Sequence, residues 1–339
     1  MRLFRICPPF RLRLWLLVLP CHLLLIGCLG GEGFTNSDGT AINKPLADLL
    51  KWRLGRRSPK PSVIDSSEAW RQLTPETSHY AVWVGHASFL IDNGDVTILT
   101  DPIFSSRASP VSWAGPQRLV EPAIPARELP PVDVVTISHN HYDHLDLPSL
   151  RVIQDLNPDC LFLVPLGDRL LLEQAGIRRV EEYDWWQERR VSRTLFTFTP
   201  TRHWSARGVF DRNQSRWGGW FMRAPDYALF HAGDTGYSQH DFTTIRARLG
   251  APNTAFIPIG AYAPRWFMRA AHINPSEALQ VARDLGAKRS LAMHWGTFML
   301  TDEPVLEPAQ KLALARQAAG YTENFFRVPA LGGINWLMD

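Results

Sequence analysis

Three histidines and an aspartate lie within six consecutive positions, in the run His139-Asn-His-Tyr-Asp-His-Leu-Asp146, with the spacing H-x-H-x-D-H. A shuffled chain with the same numbers of His and Asp would contain this spacing with a probability on the order of 10⁻³, so chance explains it poorly. Neutral imidazole and carboxylate are ligands that suit zinc and related divalent ions. The run therefore predicts a metal site at His139, His141, Asp143 and His144. The alternative is a polar loop with several solvated histidines.

The flanking residues indicate where this cluster lies in the fold. Val132–Ser138 is β-branched and mostly apolar, which predicts a buried strand. Leu147–Leu156 has apolar residues at helical spacing and predicts a helix. The cluster is thus expected where a strand ends and a loop begins. In extended backbone, residues i and i+2 face the same side, so His139 and His141 can converge on one ion.

A catalytic ion needs about three protein ligands and an open position, so a centre requires more than this cluster. Three further polar residues each follow a predicted strand: His203 after Thr194–Thr199, Asp234 after Tyr227–Phe230, and His294 after Ser290–Met293. Gly233 and Gly236 would let the backbone turn tightly around the Asp234 carboxylate. Taken singly, each residue could be a structural polar group. Together with the H-x-H-x-D-H run, they favour metal ligation.

The chain has 339 residues and is 45% hydrophobic, enough to bury a sizeable core. Ser88–Asp92 and Val96–Thr100 are predicted strands joined by Asn93-Gly94, a strong hairpin signal. Later strand-like runs alternate with helical stretches: Cys160–Val164, Leu166–Ala175, Asp241–Leu249, Ala255–Ile259, Pro275–Leu285 and Glu307–Ala319. Hairpins followed by alternating strands and helices favour a layered α/β domain, which we assign to residues 61–339.

The first 27 residues predict a signal peptide of the lipoprotein type. A basic start with four arginines precedes a short apolar stretch, Leu14–Ile26, too short to span a bilayer permanently. The stretch ends in Leu25-Ile26-Gly27-Cys28, which resembles the bacterial lipobox and implies cleavage before Cys28 and lipidation of that residue. We therefore expect a protein of the bacterial cell envelope, anchored to a membrane on its periplasmic face. The alternatives are an uncleaved signal anchor or a start codon assigned too early.

Residues 28–60 are predicted to form a polar and basic tether. Gly30–Lys44 is polar and Gly-rich, and Lys51–Lys60 carries five cations around Trp52. The basic stretch could contact anionic lipid headgroups at a membrane surface. Alternatively, it is a solvated entry segment that packs Trp52 on the domain.

The positions of the cysteines and the net charge further limit the possible classes of function. Three of the four cysteines lie in or at the leader, so Cys160 alone cannot form an intramolecular disulfide. Loss of the four leader arginines would leave 32 Lys and Arg against 33 Asp and Glu, a net charge near −1. No global basic field then remains for nucleic acid, which we do not expect as a partner.

A strand-end H-x-H-x-D-H run, a later His, a Gly-Asp and a final His resemble the pattern of the metallo-β-lactamase fold. Within that superfamily, the chain resembles the N-acylphosphatidylethanolamine-hydrolysing phospholipase D family. The matching stretches are Val84–Leu90, Leu99–Pro110, Ile137–Asp146, Gly233–Tyr237, Ile257–Met268 and His294–Phe298. The last two are far more specific than the shared metal motif.

The resemblance implies an α/β fold, an αββα four-layer sandwich, with two zinc ions at one edge; iron or manganese could replace zinc at one site. It implies two ligand sets: His139, His141 and His203 for one ion, and Asp143, His144 and His294 for the other, with Asp234 bridging them. The β-lactamases of the superfamily use a Cys in the second site. Because Cys160 lies outside every motif, hydrolysis of antibiotics is disfavoured.

The implied activity is hydrolysis of N-acylphosphatidylethanolamine to phosphatidic acid and N-acylethanolamine by a hydroxide between the ions. Asp143 or Asp234 could orient this nucleophile. His272 matches a family position near the phosphate, where it could position the phosphate or protonate the leaving alkoxide. Alternatively, His272 caps the helix Pro275–Leu285.

Three other residues are given supporting roles. His86 and Asp101 are expected to fix the tautomer of a liganding imidazole. Tyr142 could face the substrate or simply pack. Several of the 13 tryptophans, most of them more plausibly core, lie in or near loops that could border the site: Trp113, Trp185, Trp186, Trp204, Trp217, Trp220, Trp266 and Trp295. An aromatic rim would suit acyl chains at a membrane.

Two other functions remain open at the level of sequence. One is a different hydrolase on the same metal site, such as a lactonase acting on a sugar-phosphate lactone. The other is a non-enzymatic surface lipoprotein with structural metals. A non-enzymatic protein would be expected to have lost some of the metal ligands of the superfamily pattern, and none of them is missing here.

Overall fold

The structure is a computed structural model that describes residues 33–56, 59–208 and 210–338. The predicted signal peptide and the lipidation residue Cys28 lie outside the described residues. Residues from Gly33 onward form one compact unit.

Two seven-stranded sheets form the centre of this unit. The first sheet has the order β14-β1-β2-β3-β4-β5-β6. Its strands are β1 Tyr80–Gly85, β2 Ser88–Asp92, β3 Thr97–Thr100, β4 Val134–Thr136, β5 Leu161–Pro165, β6 Val180–Tyr183 and β14 Ile334–Trp336. It begins with antiparallel pairs, as the Asn93-Gly94 turn predicts, and becomes parallel from β3 to β6.

The second sheet has the order β13-β12-β11-β10-β9-β8-β7. Its strands are β7 Glu188–Val191, β8 Thr194–Thr199, β9 Gly219–Arg223, β10 Ala228–His231, β11 Thr254–Pro258, β12 Arg289–Met293 and β13 Phe326–Arg327. Strands β7 to β10 are antiparallel, and β10 to β13 are parallel.

The two sheets pack face to face, and most of their strands bury residues on both sides. In β1, Ala81 and Trp83 belong to the core between the sheets, whereas Val82 and Val84 belong to a second core under the helices. Across the interface, the rings of Phe89 in β2 and Phe256 in β11 are 4.5 Å apart. This alternation follows from the two-residue period of side chains along a strand.

Helices cover the outer faces. The helices are α1 Leu46–Gly55, α2 Leu147–Leu156, α3 Arg169–Gln174, α4 Gln239–Leu249, α5 Arg265–Met268, α6 Pro275–Leu285 and α7 Glu307–Ala318. Apolar residues of α2 and α3 complete the core under the first sheet, and those of α4 and α6 complete the core of the second. The predicted αββα sandwich is therefore confirmed.

The N-terminal segment corrects the predicted tether. Residues 33–56 belong to the compact unit, and α1 buries Trp52 to 8% exposure against Phe267, with ring centroids 5.1 Å apart. The Trp52 indole N–H also donates to the Asp302 carboxylate. The domain thus begins near residue 33 rather than 61, because Ile42 and Trp52 supply apolar surface that the domain buries. Packing of Trp52 on the domain, one of the two alternatives, is confirmed.

Candidate metal centre

Four strand ends bring the predicted ligands to one edge of the sandwich. The loop after β4 carries the H-x-H-x-D-H run, and the segments after β8, β10 and β12 carry His203, Asp234 and His294. Each side chain sits just beyond a strand whose apolar residues anchor it in a core. The sheets therefore hold residues that are far apart in sequence at a common edge.

The first donor set contains three histidines. His139 Nε2 lies 2.9 Å from His141 Nδ1, which lies 3.3 Å from His203 Nε2. Two nitrogens bound tetrahedrally to one zinc at 2.0–2.1 Å would be about 3.3 Å apart. The three nitrogens thus already have nearly the spacing of ligands to one ion, and His139 and His141 converge as the i, i+2 argument predicts.

The second donor set contains Asp143, His144 and His294. His144 Nε2 and His294 Nε2 are 3.1 Å apart, and they lie 3.5 Å and 3.4 Å from Asp143 Oδ2. These separations again suit three ligands on one ion.

Asp234 lies between the two sets. Its Oδ2 is 4.0 Å from His139 Nε2 and 3.4 Å from His144 Nε2, and its Oδ1 is 3.0 Å from His294 Nε2. A single buried carboxylate thus contacts nitrogens of both sets, which is the arrangement required of a bridging ligand.

The electrostatics of the first set suit cation binding. Burial lowers the pKa of His141 and of His203 to about 3, and holds that of His139 well below its usual value. All three imidazoles are therefore neutral near pH 7 and keep a lone pair for a metal.

The second set contains a negative charge that needs a cation. Burial opposes ionisation of Asp143 and Asp234, but the neighbouring histidines outweigh it and hold both pKa values well below the usual range. Burial likewise disfavours charge on His294, yet Asp234 and Asp143 raise its pKa to about 9. In the absence of other cations, protons on His144 and His294 balance these carboxylates; a divalent ion would replace them. The donor chemistry of both sets therefore fits metal ions.

Hydrogen bonds from the other ring nitrogens orient the histidines. His144 Nδ1 lies 2.7 Å from Asp101 Oδ2, and His203 Nδ1 lies 2.9 Å from the Ala271 carbonyl. Asp101 also accepts from the Ser138 backbone N–H at 2.7 Å. Such contacts direct the proton to the outer nitrogen and leave the inner one free to bind metal.

The side chain of His86 contacts residues of the second donor set directly. Its Nε2 is 2.9 Å from Asp143 Oδ2, and its ring lies 4.0 Å from that of His294. Asp101, His86 and His294 have φ values of 36°, 53° and 62°, which are uncommon for residues other than glycine. Such backbone strain concentrates at functional sites, where the surrounding structure maintains it.

Gly233 and Gly236 are required on either side of Asp234. A Cβ on Gly233 would lie 2.5 Å from Ser138 Cβ, and one on Gly236 would lie 2.3 Å from the Ala270 carbonyl oxygen. Only glycine allows the loop around Asp234 to approach so closely both Ser138, just before the H-x-H-x-D-H run, and Ala270, just after α5.

His272 borders the centre on the side of the first set. Its Nδ1 is 3.7 Å from Asp234 Oδ2, and Arg265 donates to its backbone carbonyl at 2.8 Å. The suggestion that His272 caps α6 is wrong: Asn274 is the N-cap and forms a reciprocal capping box with Glu277.

Tyr142 and the tryptophans occupy varied positions. The Tyr142 hydroxyl donates to the Arg207 carbonyl at 2.8 Å, and the Arg207 guanidinium covers its ring. These contacts favour packing over substrate binding. Trp217, Trp220 and Trp295 are buried, whereas Trp113 and Trp266 are 80% and 50% exposed. Trp204 borders the centre, with its ring 4.3 Å from that of His141.

The contact between the N-terminal segment and the metal centre was not predicted from the sequence. Asn36 Oδ1 accepts from the His203 backbone N–H at 3.0 Å and from the Trp217 indole at 3.1 Å. Its polar, Gly-rich surroundings carry no periodic pattern that would have indicated this contact.

Comparison with known proteins agrees with the geometry. The chain matches the Beta-lactamase superfamily domain over residues 96–295. In structure it resembles a possible metal-dependent hydrolase of Veillonella parvula (TM-score 0.63, 16% identity, 77% of this chain and 100% of that one). It also resembles the metallo hydrolase Igni18 of Ignicoccus hospitalis (TM-score 0.56, 22% identity, 76% and 98%). At 16% and 22% sequence identity, these two similarities support the fold and not a particular activity. Fold and donor set together define a metal-dependent hydrolase.

Sequence comparison is more specific. The chain is 38% identical over 301 residues to N-acyl-phosphatidylethanolamine-hydrolyzing phospholipase D 1 of Caenorhabditis elegans, covering 83% of this chain and 84% of the relative. It is 36% identical over 260 residues to the mitochondrial enzyme of the same name in Saccharomyces cerevisiae, covering 75% and 55%. The chain therefore belongs to the N-acylphosphatidylethanolamine-hydrolysing phospholipase D family of the metallo-β-lactamase superfamily.

Proposed function

We propose that the protein is a zinc-dependent phosphodiesterase of phospholipase D type. It would hydrolyse N-acylphosphatidylethanolamine-like phospholipids to phosphatidic acid and N-acylethanolamine. The ions would be held by His139, His141 and His203 on one side and by Asp143, His144 and His294 on the other, with Asp234 shared.

The observation that carries the proposal is the position of Asp234 between two complete donor sets. One carboxylate within 4.0 Å of nitrogens from both sets suits a pair of ions a few ångströms apart. Paired ions at about 3.5–4 Å are typical of enzymes that cleave phosphoesters in line. The names of the two relatives support a lipid phosphodiester as the substrate.

Divalent ions bound there would supply Lewis acidity and lower the pKa of a water molecule to about 7. The protein's own residues would orient the reactants. A carboxylate oxygen of Asp143 or Asp234 would accept a hydrogen bond from the attacking water. The water oxygen would bond to phosphorus and release a proton, the phosphorus–oxygen bond to the ethanolamine would break, and the leaving alkoxide would take up a proton from solvent, so that the net change is addition of one water.

We assign His272 to phosphate positioning. Burial holds its pKa well below the usual value, so its imidazole is neutral near pH 7 and is a poor general acid. A neutral ring can still donate one N–H to a phosphoryl oxygen. Arg265 would hold it in place through the His272 carbonyl while pairing with Glu277 at 2.7 Å.

Product analysis tests the reaction. The zinc-loaded protein is incubated with N-acylated phosphatidylethanolamine in ¹⁸O-water, and the lipids are measured by mass spectrometry. We expect equal amounts of phosphatidic acid and N-acylethanolamine, with ¹⁸O in the phosphatidic acid because water attacks phosphorus. Absence of phosphatidic acid together with opening of lactones would instead support the lactonase alternative.

Metal analysis tests the donor sets. Wild-type protein should bind about two zinc ions per chain, and Asp234→Asn should lose most of both the metal and the turnover. His240→Asn is the matched control, since His240 is an exposed histidine of α4. Full turnover in Asp234→Asn would contradict the bridging role.

We further propose that the partner is an anionic membrane surface. Leu50 and Leu54 of α1 are 51% and 86% exposed. Trp266 is 50% exposed, and the ammonium of Lys51, also in α1, lies 4.8 Å from the centre of its ring. Exposed apolar side chains among cations suit the interface of a membrane with acidic headgroups. Export and a lipid anchor at Cys28 would hold this surface at a membrane of the bacterial envelope. In the described part of the chain, no helix is both long and apolar enough to cross a bilayer.

Vesicle binding tests the membrane proposal. Protein lacking residues 1–28 should sediment with vesicles containing phosphatidylserine and less with neutral vesicles. Leu54→Ser should weaken this binding, whereas Leu314→Ser, at a 65% exposed leucine of α7, should not. Equal binding by both variants would refute the assignment of this surface.

A further inference from the structure

Two cations lie beside the metal centre without an acidic partner. The Lys44 ammonium is 4.3 Å from the centre of the Phe267 ring and 5.9 Å from that of Trp204. The Arg212 guanidinium is 4.1 Å from the Trp204 ring and donates to the Ile42 carbonyl. Within residues 33–56, 59–208 and 210–338, no carboxylate forms an ion pair with either side chain.

The environment of Lys44 is unfavourable for an isolated charge. Its ammonium contacts aromatic rings and the Met268 sulfur at 3.8 Å, which compensate only part of the lost hydration. Burial, with Arg212 nearby, lowers the pKa of Lys44 to about 8, so most molecules still carry the charge at pH 7. Two cations kept close together in this way would be stabilised by an anion.

Their position links them to the reaction. Trp204, which both cations approach, lies against His141, with ring centroids 4.3 Å apart. His272 lies on the same side: its ring centroid is 5.2 Å from that of His203, which in turn is 6.3 Å from that of Trp204. The pair thus lies on the side of the centre where His272 is assigned to the phosphate. Other arginines around the centre already have partners: Arg202 pairs with Asp38, Arg216 with Asp184 and Arg265 with Glu277. Arg207 donates to the backbone carbonyls of Asn140 and Leu145.

We propose that Lys44 and Arg212 form an anion subsite that recognises the phosphate group of the substrate at the entrance to the metal centre. This inference rests on the proposed phosphodiesterase function. A phosphodiester carries one negative charge at neutral pH and offers two non-bridging oxygens, enough for one contact to each cation. The subsite would favour phosphodiesters over neutral esters and lactones. It also gives the N-terminal segment a functional role, because Lys44 and Ile42 come from it.

Kinetics of charge-neutralised variants test the subsite. Lys44→Met keeps the apolar stem against Phe267, and Arg212→Gln keeps part of the side chain over Trp204. With a soluble, short-chain N-acylated phosphatidylethanolamine, each variant should raise KM about tenfold or more, as expected for loss of a charge-assisted contact. The value of kcat and the zinc content should stay within about twofold, because neither side chain is a metal ligand.

Three controls separate this role from a structural one. Lys44→Arg and Arg212→Lys retain the charge and should keep KM within a few-fold of wild type, and Lys288→Met, at an exposed lysine far along the chain, should leave it unchanged. If Lys44→Met does not fold, the Arg212 pair of variants decides the question. Unchanged KM in a folded, zinc-loaded Arg212→Gln protein would overturn the proposal.

Binding of inorganic phosphate provides a second readout that does not depend on the proposed reaction. Calorimetry on the zinc-loaded proteins should show weaker phosphate binding in both neutralised variants than in wild type, with acetate binding weakly to all. The wild-type protein could bind phosphate more tightly than the variants and yet cleave no phosphodiester. In that case the proposed function would be wrong, and the subsite would be a binding site for free phosphate. Equal phosphate affinity in wild type and variants would refute the subsite even if the enzyme is a phosphodiesterase.

Discussion

The contact between Asp101 and His144 offers a direct test of how the centre is organised. Asp101 is fully buried, and its Oδ2 accepts from His144 Nδ1 at 2.7 Å and from the Ser138 hydroxyl at 2.6 Å. An Asp101→Asn variant replaces one oxygen by an N–H donor, so the carboxamide can satisfy only part of this set. Since Oδ1 already accepts from the Ser138 backbone N–H, the amide nitrogen should take the position that faces His144.

The expected result is a loss of metal affinity with little loss of fold. His144 would no longer be held with its proton on Nδ1, and Nε2 would become protonated in part and unavailable to a metal. Loss of such a supporting contact typically costs about 10- to 100-fold in metal affinity, or about 1.4–2.7 kcal/mol. The assay is equilibrium dialysis against chelator-buffered zinc, with bound zinc measured by mass spectrometry and folding followed by circular dichroism.

Asp168→Asn is the matched control. Asp168 is another buried aspartate, 1% exposed, that accepts from Asn140 and Ser215 and does not contact a proposed ligand side chain. Its replacement should leave zinc affinity within about threefold. Wild-type zinc affinity in folded Asp101→Asn would refute the role of Asp101. Equal losses in both variants would mean that the effect is a general consequence of changing a buried carboxylate.

Three further outcomes follow from the structure. Asn36→Ala should lower the free energy of unfolding by about 1–3 kcal/mol in denaturant melts, because the His203 backbone N–H loses its acceptor; an unchanged value would mean that the N-terminal segment does not support this loop. Burial raises the pKa of Asp168 to about 7, so the folded state retains a proton that the unfolded state loses near pH 4. The free energy of unfolding of wild type, relative to that of Asp168→Asn, should therefore fall as pH rises from about 4 to about 7; a difference between the two proteins that does not change with pH would contradict it. Asn274→Ala should cost about 1 kcal/mol in the same melts, since the capping box with Glu277 is lost, and a Thr243→Ala change on α4 serves as a helix-surface control that should cost less.

Local patterns in the sequence predicted most of the framework. Two strand-like runs joined by Asn93-Gly94 indicated the β2–β3 hairpin, and apolar helical spacing identified α2 and α6 with the bounds that the structure has. Such patterns suffice where one face of an element is buried. They fail for α1, whose exposed leucines and cations show no clear apolar face around the buried residue Trp52.

By itself, the sequence determined the donor chemistry of this protein: His and Asp at strand ends, glycines around Asp234, and no cysteine among them. These properties depend on residue type and on the few neighbours that set a strand or a turn. The resemblance to a known family implied the two donor sets and the place of Asp234 between them. Only the tertiary structure supplied the distances among these donors and showed that Lys44 and Arg212 meet at Trp204. The reason is physical: these distances join segments up to more than a hundred residues apart, and they depend on how two sheets pack, which no local spacing encodes.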